Sequence, residues 1–382
     1  MGPIVGQTDA PLSTRHNRPA VSVQAETVPD RRASLDWSRV SRARWRKILV
    51  VLAGVDLVVL VGCLQFGAEH IGLLQAGRIL WAAVFGDASL DSAGTAGAIL
   101  VHIRLPRLLL AFMVGGCLAT VGVSLQALLR NPLADPYVLG ISSGAALGAG
   151  VAILLGIGTT IVAASALPLC AFFGGLLSII IVYRIAASYG YLPIHTLLLA
   201  GVILNAIFSA LIMFITSIMD PNRSFGMMAW LMGTLSGPDY SALLVLAAYL
   251  GVGTAILFRH AGSLNVLTLG EESARSLGVE VETVKKTIFF AAALLTGAVV
   301  AFSGLIGFVG MVVPHAVRMV IGADHRLLLP ASASIGGAFL MLADTLARTL
   351  LAPGEIPVGV VTALAGGPFF IYLLMSRKGG LA

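Results

Sequence analysis

Three arginines in this sequence stand where they could bind an anion. Arg104 and Arg107 occur in the motif R-L-P-R at the start of a long apolar run, and Arg348 lies near the end of another such run. The planar guanidinium group can pair with a carboxylate through two hydrogen bonds. Arginines at the ends of apolar helices also commonly reach towards lipid phosphates. Binding of an acidic partner and contact with membrane lipid therefore both stay open as roles for these positions.

Polar side chains inside apolar runs form a second set of candidates. Asn205 and Ser209 are four residues apart, so a helix would place both side chains on one face. Polar groups within membrane segments are functional candidates by default. These two residues either line a pathway or form hydrogen bonds between helices.

Residues 260–283, HAGSLNVLTLGEESARSLGVEVET, mix leucines with charged side chains and are too polar to span a membrane. The segment predicts two short helices with a break at Gly270. Glu271 and Glu272 would then lie in the first turn of the second helix, where a carboxylate interacts favourably with the helix dipole. A loop of this kind either lies on the membrane or contacts a partner.

Several kinds of chemistry have no signal in the sequence. There is no phosphate-binding G-x-x-x-x-G-K-[ST] motif and no H-E-x-x-H metal motif. The cysteines, Cys63, Cys117 and Cys170, lie in apolar runs without metal-ligand spacing. We therefore expect no catalytic residue, no metal site and no cofactor in this chain, and no nucleic-acid partner.

The elements that position these residues must lie in a membrane. The 382 residues are 58% hydrophobic and only 11% charged, whereas soluble domains carry about 25% charged residues. Runs such as VLAGVDLVVLVGCLQF at 51–66 lack the alternation of a β-barrel strand. The sequence predicts an all-α polytopic membrane protein with about ten transmembrane helices, at 47–66, 105–127, 138–157, 162–187, 194–219, 240–259, 284–307, 309–321, 327–350 and 356–376.

Two regions differ in composition. Residues 1–45 are rich in arginine, proline and serine without an apolar period, which predicts a disordered basic tail. Residues 46–377 form the predicted transmembrane domain. Basic residues next to the first span indicate a cytoplasmic start, and ten crossings would return the C-terminus to the cytoplasmic side. Most of the 24 lysines and arginines then face inward.

The chain also contains an internal repeat. Five residues recur 182 positions later, and five predicted spans separate the two starts. An odd number of spans reverses the direction of the second copy, and inverted repeats are typical of transporters. The first copy consists of Gly115, Ala119, Gly122, Pro132 and Gly140, and the second of Gly297, Ala301, Gly304, Pro314 and Gly322.

A turn with two prolines follows the second predicted span. Asn131-Pro132 ends that helix because proline disfavours helical geometry in the residue before it. Asp135-Pro136 starts the next helix, since proline suits a first turn. Gly140, Gly144 and Gly148 then lie on one helix face, where small residues let a second helix approach.

Together these motifs resemble the permease family of ABC importers for ferric siderophores, haem and cobalamin. The resemblance extends from about residue 47 to residue 376. It is carried by R-L-P-R (104–107), N-P-L-A-D-P-Y-V-L-G-I-S-S-G-A (131–145), S-G-L-I-G-F-V-G-M-V-V-P-H-A-V-R (303–318), D-H-R (324–326) and E-x-P-x-G-x-x-T-A (355–363).

The resemblance implies an assembly. Two permeases would form a homodimer in a bacterial cytoplasmic (inner) membrane, with both termini cytoplasmic. Two ATPase subunits, which carry ATP and Mg, would bind on the cytoplasmic side. A periplasmic or extracellular substrate-binding protein would dock on the other side. The substrate would be an iron chelate, either haem or a ferric siderophore, with cobalamin as the alternative; the less favoured function is an ion-coupled secondary transporter.

The resemblance also implies roles for particular residues. Arg104, Arg107 and Arg348 would dock the binding protein, and the span at 194–219, with Asn205 and Ser209, would line the translocation path. The loop 260–283 would couple the ATPase to the permease. Its candidate coupling residues are Leu267, Gly270, Glu271, Glu272, Arg275, Leu277 and Gly278.

Overall fold

Helices make up most of the described part of the chain, which comprises residues 42–67, 69, 71–85, 94–157, 166–187, 191–235 and 239–378 of the computed structural model. Residues 1–41 of the predicted tail lie outside these ranges. In chain order the helices are α1 (Arg42–Gln65), α2 (Leu73–Phe85), α3 (Gly94–Leu128), α4 (Ile141–Leu154), α5 (Ala166–Ala186), α6 (Ile194–Ile218), α7 (Pro221–Leu231), α8 (Tyr240–Arg259), α9 (Ala261–Leu267), α10 (Glu271–Ser276), α11 (Val281–Ser303), α12 (Val309–Ile321), α13 (His325–Thr349) and α14 (Val358–Lys378).

Seven of the described helices are long and apolar enough to cross a membrane, namely α1, α3, α5, α6, α8, α11 and α13. Three further apolar helices, α4, α12 and the first part of α14, are shorter. Each predicted span coincides with one of these ten helices, which confirms the all-α membrane fold. Because three of the ten are short, the exact number of crossings stays a prediction.

Helix α3 forms the centre of the described unit. Nearly every side chain from Val114 to Leu128 is buried, which fits a helix that is apolar all round and surrounded by others. It packs against α11, α12 and most closely α13. A Cβ atom on Gly115 would collide with the carbonyl group of Gly336 on α13. Only glycine therefore permits this separation between the two backbones.

Helices α3 and α11 run in opposite directions. Arg130, just after α3, and Lys285, in the first turns of α11, both form ion pairs with Glu271. The end of α3 and the start of α11 therefore share one side of the bundle, called here the loop end because the loop 260–283 lies there. The antiparallel arrangement agrees with the inverted repeat. The repeated residues do not all occupy equivalent structural positions, since Pro132 lies in a turn whereas Pro314 lies inside α12.

The start of α3 differs from the prediction. The helix begins at Gly94 rather than near residue 105, and its segment Ile99–Arg104 is a π-helix. The N–H group of Leu105 bonds to the carbonyl group of Leu100, five residues earlier. Pro106 follows directly and has no N–H group to continue an ordinary helical ladder. Helix α2 was not predicted, because its 13 residues are too few to span a membrane.

Candidate functional site

A buried ion cluster joins α3 to α13 at the side of the bundle opposite the loop end, called here the arginine end. The Nε atom of Arg107 lies 3.0 Å from Oδ1 of Asp344, and its Nη2 atom lies 2.9 Å from the same oxygen. Arg348, one turn further along α13, donates from Nε to Oδ2 of Asp344 at 3.0 Å. The Asp344 side chain is completely buried. A buried charge requires opposite charges beside it, and two guanidinium groups provide them.

Arg107 also binds a carboxylate at the protein surface. Its Nη1 atom lies 2.9 Å from Oε2 and 3.2 Å from Oε1 of Glu355. The Glu355 side chain is 55% exposed. Arg107 is thus bonded on one side to a buried carboxylate and on the other to a carboxylate in contact with solvent, and the second bond is the one that a partner could replace.

Arg104 caps a helix instead of facing outward. It is buried, and its Nη1 atom donates to the carbonyl oxygens of Leu64 at 2.9 Å and Gln65 at 3.4 Å. Its Nη2 atom donates to the carbonyl oxygen of Glu69. Carbonyl groups at the end of a helix lack intrahelical partners, and a cation there is favourable. Arg104 therefore satisfies the C-terminal end of α1.

These contacts correct one expectation from the sequence. Docking of a protein partner by Arg104, Arg107 and Arg348 would require accessible side chains, but Arg104 and Arg348 are buried and Arg107 is only 14% exposed. The acceptors of Arg104 and Arg107 are 35 or more positions away in the sequence, so the burial of these two residues could not be read from local spacing. Arg348 and Asp344 are only four positions apart, a spacing that indicates a pair on one helix face. The proposed role of the three arginines in docking stays a prediction.

The loop 260–283 contains two short helices, α9 and α10, separated by Gly270. Gly270 has a φ angle of +116°, which side-chain-bearing residues rarely adopt. The predicted pair of helices with a glycine break is therefore confirmed. Glu271 and Glu272 lie in the first turn of α10, as expected. Gly278 ends the turn after α10 with a φ angle of +81°.

The leucines of this loop divide into two groups. Leu264 and Leu267 are buried in the helix bundle, so Leu267, a candidate coupling residue, is not available to a partner. Leu269 and Leu277 are 68% and 65% exposed. The inner leucines hold α9 on the bundle, and the outer ones are available to a partner.

Below α10 lies a set of charged residues, called here the loop charge cluster and consisting of Glu271, Arg275, Glu282 and Lys285. The Nζ atom of Lys285 lies 3.2 Å from Glu271 and 2.9 Å from Glu282. Arg275 contacts the same two carboxylates at 3.5 and 3.6 Å but is half exposed. Only Glu271 and Arg275 were candidates from the sequence. The pair Glu282 and Lys285, three positions apart at the start of α11, was a usable signal.

A second polar junction attaches α9 to α13. The side chain of Asn265 donates from Nδ2 to Oδ1 of Asp324 at 2.7 Å. Its Oδ1 atom accepts from the backbone N–H group of His325 at 2.9 Å. Asn265 was not predicted as a site residue, because nothing in its local sequence indicates a partner about sixty positions away.

The turn between α3 and α4 has the expected design. The Oδ1 atom of Asn131 accepts from the N–H group of Leu133, and that of Asp135 accepts from the N–H group of Tyr137, both at 2.9 Å. Pro132 lies within the turn, and Pro136 begins a short 3₁₀ helix, Pro136–Leu139. Burial of the carboxyl group raises the pKa of Asp135 to about 6.

Gly144 and Gly148 face α5 across a very short distance. A Cβ atom on Gly144 would meet Ser178 and Gly174, and one on Gly148 would meet the carbonyl group of Cys170. Gly140 precedes α4, and its carbonyl oxygen accepts from the hydroxyl group of Ser178 at 2.7 Å. Gly144 and Gly148 therefore lie where α4 and α5 pack, as the small-residue pattern predicts. Gly140 was expected on the same helix face, but it precedes the helix with a φ angle of +76°.

Helix α6, the predicted path helix, has one packed face and one open face. Leu197, Leu204 and Phe208 are buried against the bundle. Asn205 is half-buried and Ser209 is exposed. On the open side stand mainly apolar residues, among them Leu199, Val202, Ile203 and Ile207. Within the described residues, no group of three or more His, Cys, Asp or Glu side chains could hold a metal ion.

Comparisons with known proteins agree with this arrangement. The profile of the FecCD transport family matches residues 40–376. The cobalamin import system permease of Halobacterium salinarum is 42% identical over 87% of this chain and 89% of the relative. The hemin transport system permease of Yersinia pestis is 43% identical over 84% of this chain and 95% of the relative. A structure described as an inward-facing metal-chelate type ABC transporter matches with a TM-score of 0.72 at 31% identity, covering 87% of this chain and 99% of the other.

Proposed function

The chain belongs to the FecCD transport family, and from this premise we propose that it is the membrane permease subunit of an ATP-driven ABC importer. The observation that carries the proposal is the match to metal-chelate, hemin and cobalamin transporter chains over more than four fifths of this chain. The family is one of transport proteins. In this proposal the chain forms the gated path, and ATP with its Mg²⁺ ion binds to a separate ATPase subunit.

The proposed substrate is an iron chelate, haem or a ferric siderophore. The relative from Yersinia pestis is a hemin permease, and a further relative in Bacillus subtilis, 33% identical, is an iron(3+)-hydroxamate import permease. Cobalamin is the second candidate, because the cobalamin permease of Halobacterium salinarum has nearly the same identity to this chain as the hemin permease.

The proposed assembly places one partner at each end of the bundle. Two copies of the chain form a homodimer in the bacterial cytoplasmic (inner) membrane. An ATPase binds each copy at the loop end, where the exposed Leu269 and Leu277 offer apolar contacts. The loop end and both termini then lie in the cytoplasm. A substrate-binding protein docks at the arginine end, where Arg107 and Glu355 reach the surface.

The proposed path lies along the open face of α6. That face is apolar for most of its length, with Asn205 and Ser209 as polar points. In a homodimer, two such faces would enclose a central passage that lets a large chelate pass without binding it tightly. The closure of the ATPases would drive the passage open or shut through α9 and α10.

Reconstitution in liposomes tests the proposal. The permease would be purified with its ATPase and binding protein, and the uptake of haem, a ferric hydroxamate and cobalamin would be measured with and without internal ATP. We expect ATP-dependent uptake of one of these substrates, with no uptake driven by a proton or sodium gradient alone. Uptake that follows a gradient and ignores ATP would reject the importer and establish a secondary transporter.

A further inference from the structure

We infer that Lys285 and Glu282 are positioning residues that link the coupling helices to the start of α6. The inference rests on the proposed function, in which α10 receives the movement of the ATPase and α6 lines the path. The link is a series of three contacts, from Glu271 to Lys285, from Lys285 to Glu282, and from Glu282 to the backbone of Leu192.

The first part of the link leaves the coupling helices. Glu271 is the first residue of α10, and its Oε1 atom lies 3.2 Å from the Nζ atom of Lys285 on α11. The Lys285 side chain is only 4% exposed. A buried ammonium group that loses its partner is strongly unfavourable, because water cannot replace the lost bond. A displacement of Glu271 therefore acts on Lys285 directly.

The second part reaches α6. Lys285 donates to Oε1 of Glu282 at 2.9 Å, and Oε2 of the same carboxylate accepts from the N–H group of Leu192 at 2.9 Å. Leu192 is buried and stands two residues before the first residue of α6. One carboxylate thus binds a lysine with one oxygen and the chain entering α6 with the other, so a shift of Lys285 is passed to the N-terminal end of α6.

Two other cations near Glu271, Arg275 and Arg130, are poorly suited to pass its displacement on to α6. Arg275 is 50% exposed and Arg130 is 45% exposed, and their shortest contacts to Glu271 are 3.5 and 3.9 Å. Exposed ion pairs contribute little, because water replaces them at small cost. Lys285 is the buried cation of the loop charge cluster, and among the described residues it is the one that contacts both carboxylates within 3.2 Å.

The open face of α6 would allow the helix to move when the link displaces its N-terminal end. The helix is held to the bundle on one side by Leu197, Leu204 and Phe208, whereas the side chains on its opposite side are largely exposed among the described residues. A helix held on one face can tilt when its end is displaced. The structure therefore assigns to Glu282 and Lys285 the transfer of movement, and to α6 the change in the width of the path.

The test uses Glu282→Gln in the complete transporter, with Glu280→Gln as the matched control. Both changes convert a carboxylate to an amide at the start of α11, but Glu280 is exposed and outside the loop charge cluster. Lys285 keeps Glu271 as a partner in the variant, so the fold is retained. The measured quantities are binding of the ATPase, ATP hydrolysis, substrate imported per ATP, and thermal stability.

We expect Glu282→Gln to bind the ATPase and hydrolyse ATP as the unmodified permease does, while import per ATP falls by about tenfold, because a charge-assisted bond is lost. Glu280→Gln should match the unmodified permease in all four quantities. Unchanged import per ATP in Glu282→Gln would overturn the link. A parallel fall in ATPase binding and import would also overturn it, because the residue would then act in docking.

A second measurement leaves Glu271, Lys285 and Glu282 unaltered. Spin labels at Ser276 on the coupling loop and His195 on α6, both exposed positions, report whether the two segments move together. We expect the distance between the labels to stay within about 2 Å between nucleotide states, since linked helices shift as one unit. A larger change would refute the link while leaving the importer intact. Failure of the unmodified permease to import with ATP would instead refute the proposed function itself.

Discussion

Arg107 and Asp344 are 237 positions apart in the sequence, yet the Nε atom of Arg107 lies 3.0 Å from Oδ1 of Asp344. The same carboxylate also binds Arg348 and is completely buried. One anion therefore fixes two of the three arginines for which the family resemblance implies a docking role.

Asp344→Asn should lower the free energy of unfolding by about 3–5 kcal/mol, because breaking a buried pair leaves charges without compensation. The measurement is thermal or denaturant unfolding of the permease in detergent. Glu355→Gln is the control, since it removes an exposed carboxylate from the same arginine and should cost about 1 kcal/mol or less. Equal stability of the two variants would show that Asp344 is not the main partner of Arg107.

Glu355→Gln should raise the rate at which the binding protein associates at low salt. The change weakens the surface contact of Arg107 and makes its guanidinium group more available to an acidic partner. Charges at the rim of an interface act mainly on the association rate, and the expected gain is about two- to tenfold. Surface plasmon resonance at low and high salt measures it. A slower association would mean that Glu355 itself attracts the partner.

Leu277→Asp should weaken binding of the ATPase without unfolding the permease, because Leu277 is 65% exposed in the isolated chain. Burial of a leucine contributes about 1.5–3 kcal/mol, and each 1.4 kcal/mol corresponds to about tenfold in affinity. The expected loss of affinity is therefore about tenfold or more, measured by retention of the ATPase on immobilised permease.

Leu264→Asp serves as the contrast, since Leu264 is completely buried. This change should reduce the yield of folded permease, because it places a charge in an apolar site. Unaltered ATPase retention, hydrolysis and uptake in Leu277→Asp would remove the loop from its coupling role.

Asp135→Asn should change how stability depends on pH. The pKa of Asp135 is raised to about 6 by burial, above the value of about 3.9 in an unfolded chain. The folded state then binds more protons than the unfolded state between these values, so stability decreases as the pH rises from about 4 to 6 and is level above. Asparagine keeps an oxygen that can accept from the N–H group of Tyr137. We expect the variant to lose this pH-dependent decrease in stability. The stability of the variant relative to the unmodified chain should therefore be higher at pH 7.5 than at pH 4.5. Melting curves of equal pH dependence for both proteins would contradict this.

The purified chain should hydrolyse no ATP in the absence of its ATPase. The sequence has no phosphate-binding G-x-x-x-x-G-K-[ST] motif, whose backbone N–H groups would hold the phosphates. Release of inorganic phosphate is the measurement, with the ATPase subunit as the positive control. Hydrolysis that survives removal of every other subunit would refute the prediction.

Much of the fold was predictable because membrane helices depend on local composition. Each apolar run became a helix, and the glycine break at Gly270 and the helix start at Pro136 followed from single residues. The backbone has few alternatives in lipid, because every N–H and C=O group must be bonded within the segment. A local pattern therefore determines a large part of the structure.

The partners of the charged residues were less predictable. Arg104 and Arg107 were interpreted as docking residues, but Arg104 caps α1 and Arg107 binds Asp344. Reversal of both charges to glutamate should therefore impair folding. The residues involved are tens to hundreds of positions apart. No local spacing reveals such pairs, and an arginine at a helix end has the same sequence pattern whether it faces solvent, lipid or another helix.

The contact between Gly115 and Gly336 has a mechanical consequence. The two backbones touch with no side chain between them, so there is no layer of rotatable groups that could absorb a relative displacement. Close-packed interiors yield little under such a load. Helices α3 and α13 should consequently behave as a stiff strut that keeps its shape through the transport cycle. Deformation would then be concentrated in the more loosely held helices. The backbone amide hydrogens of α3 and α13 should accordingly exchange with solvent more slowly than those of the other described helices.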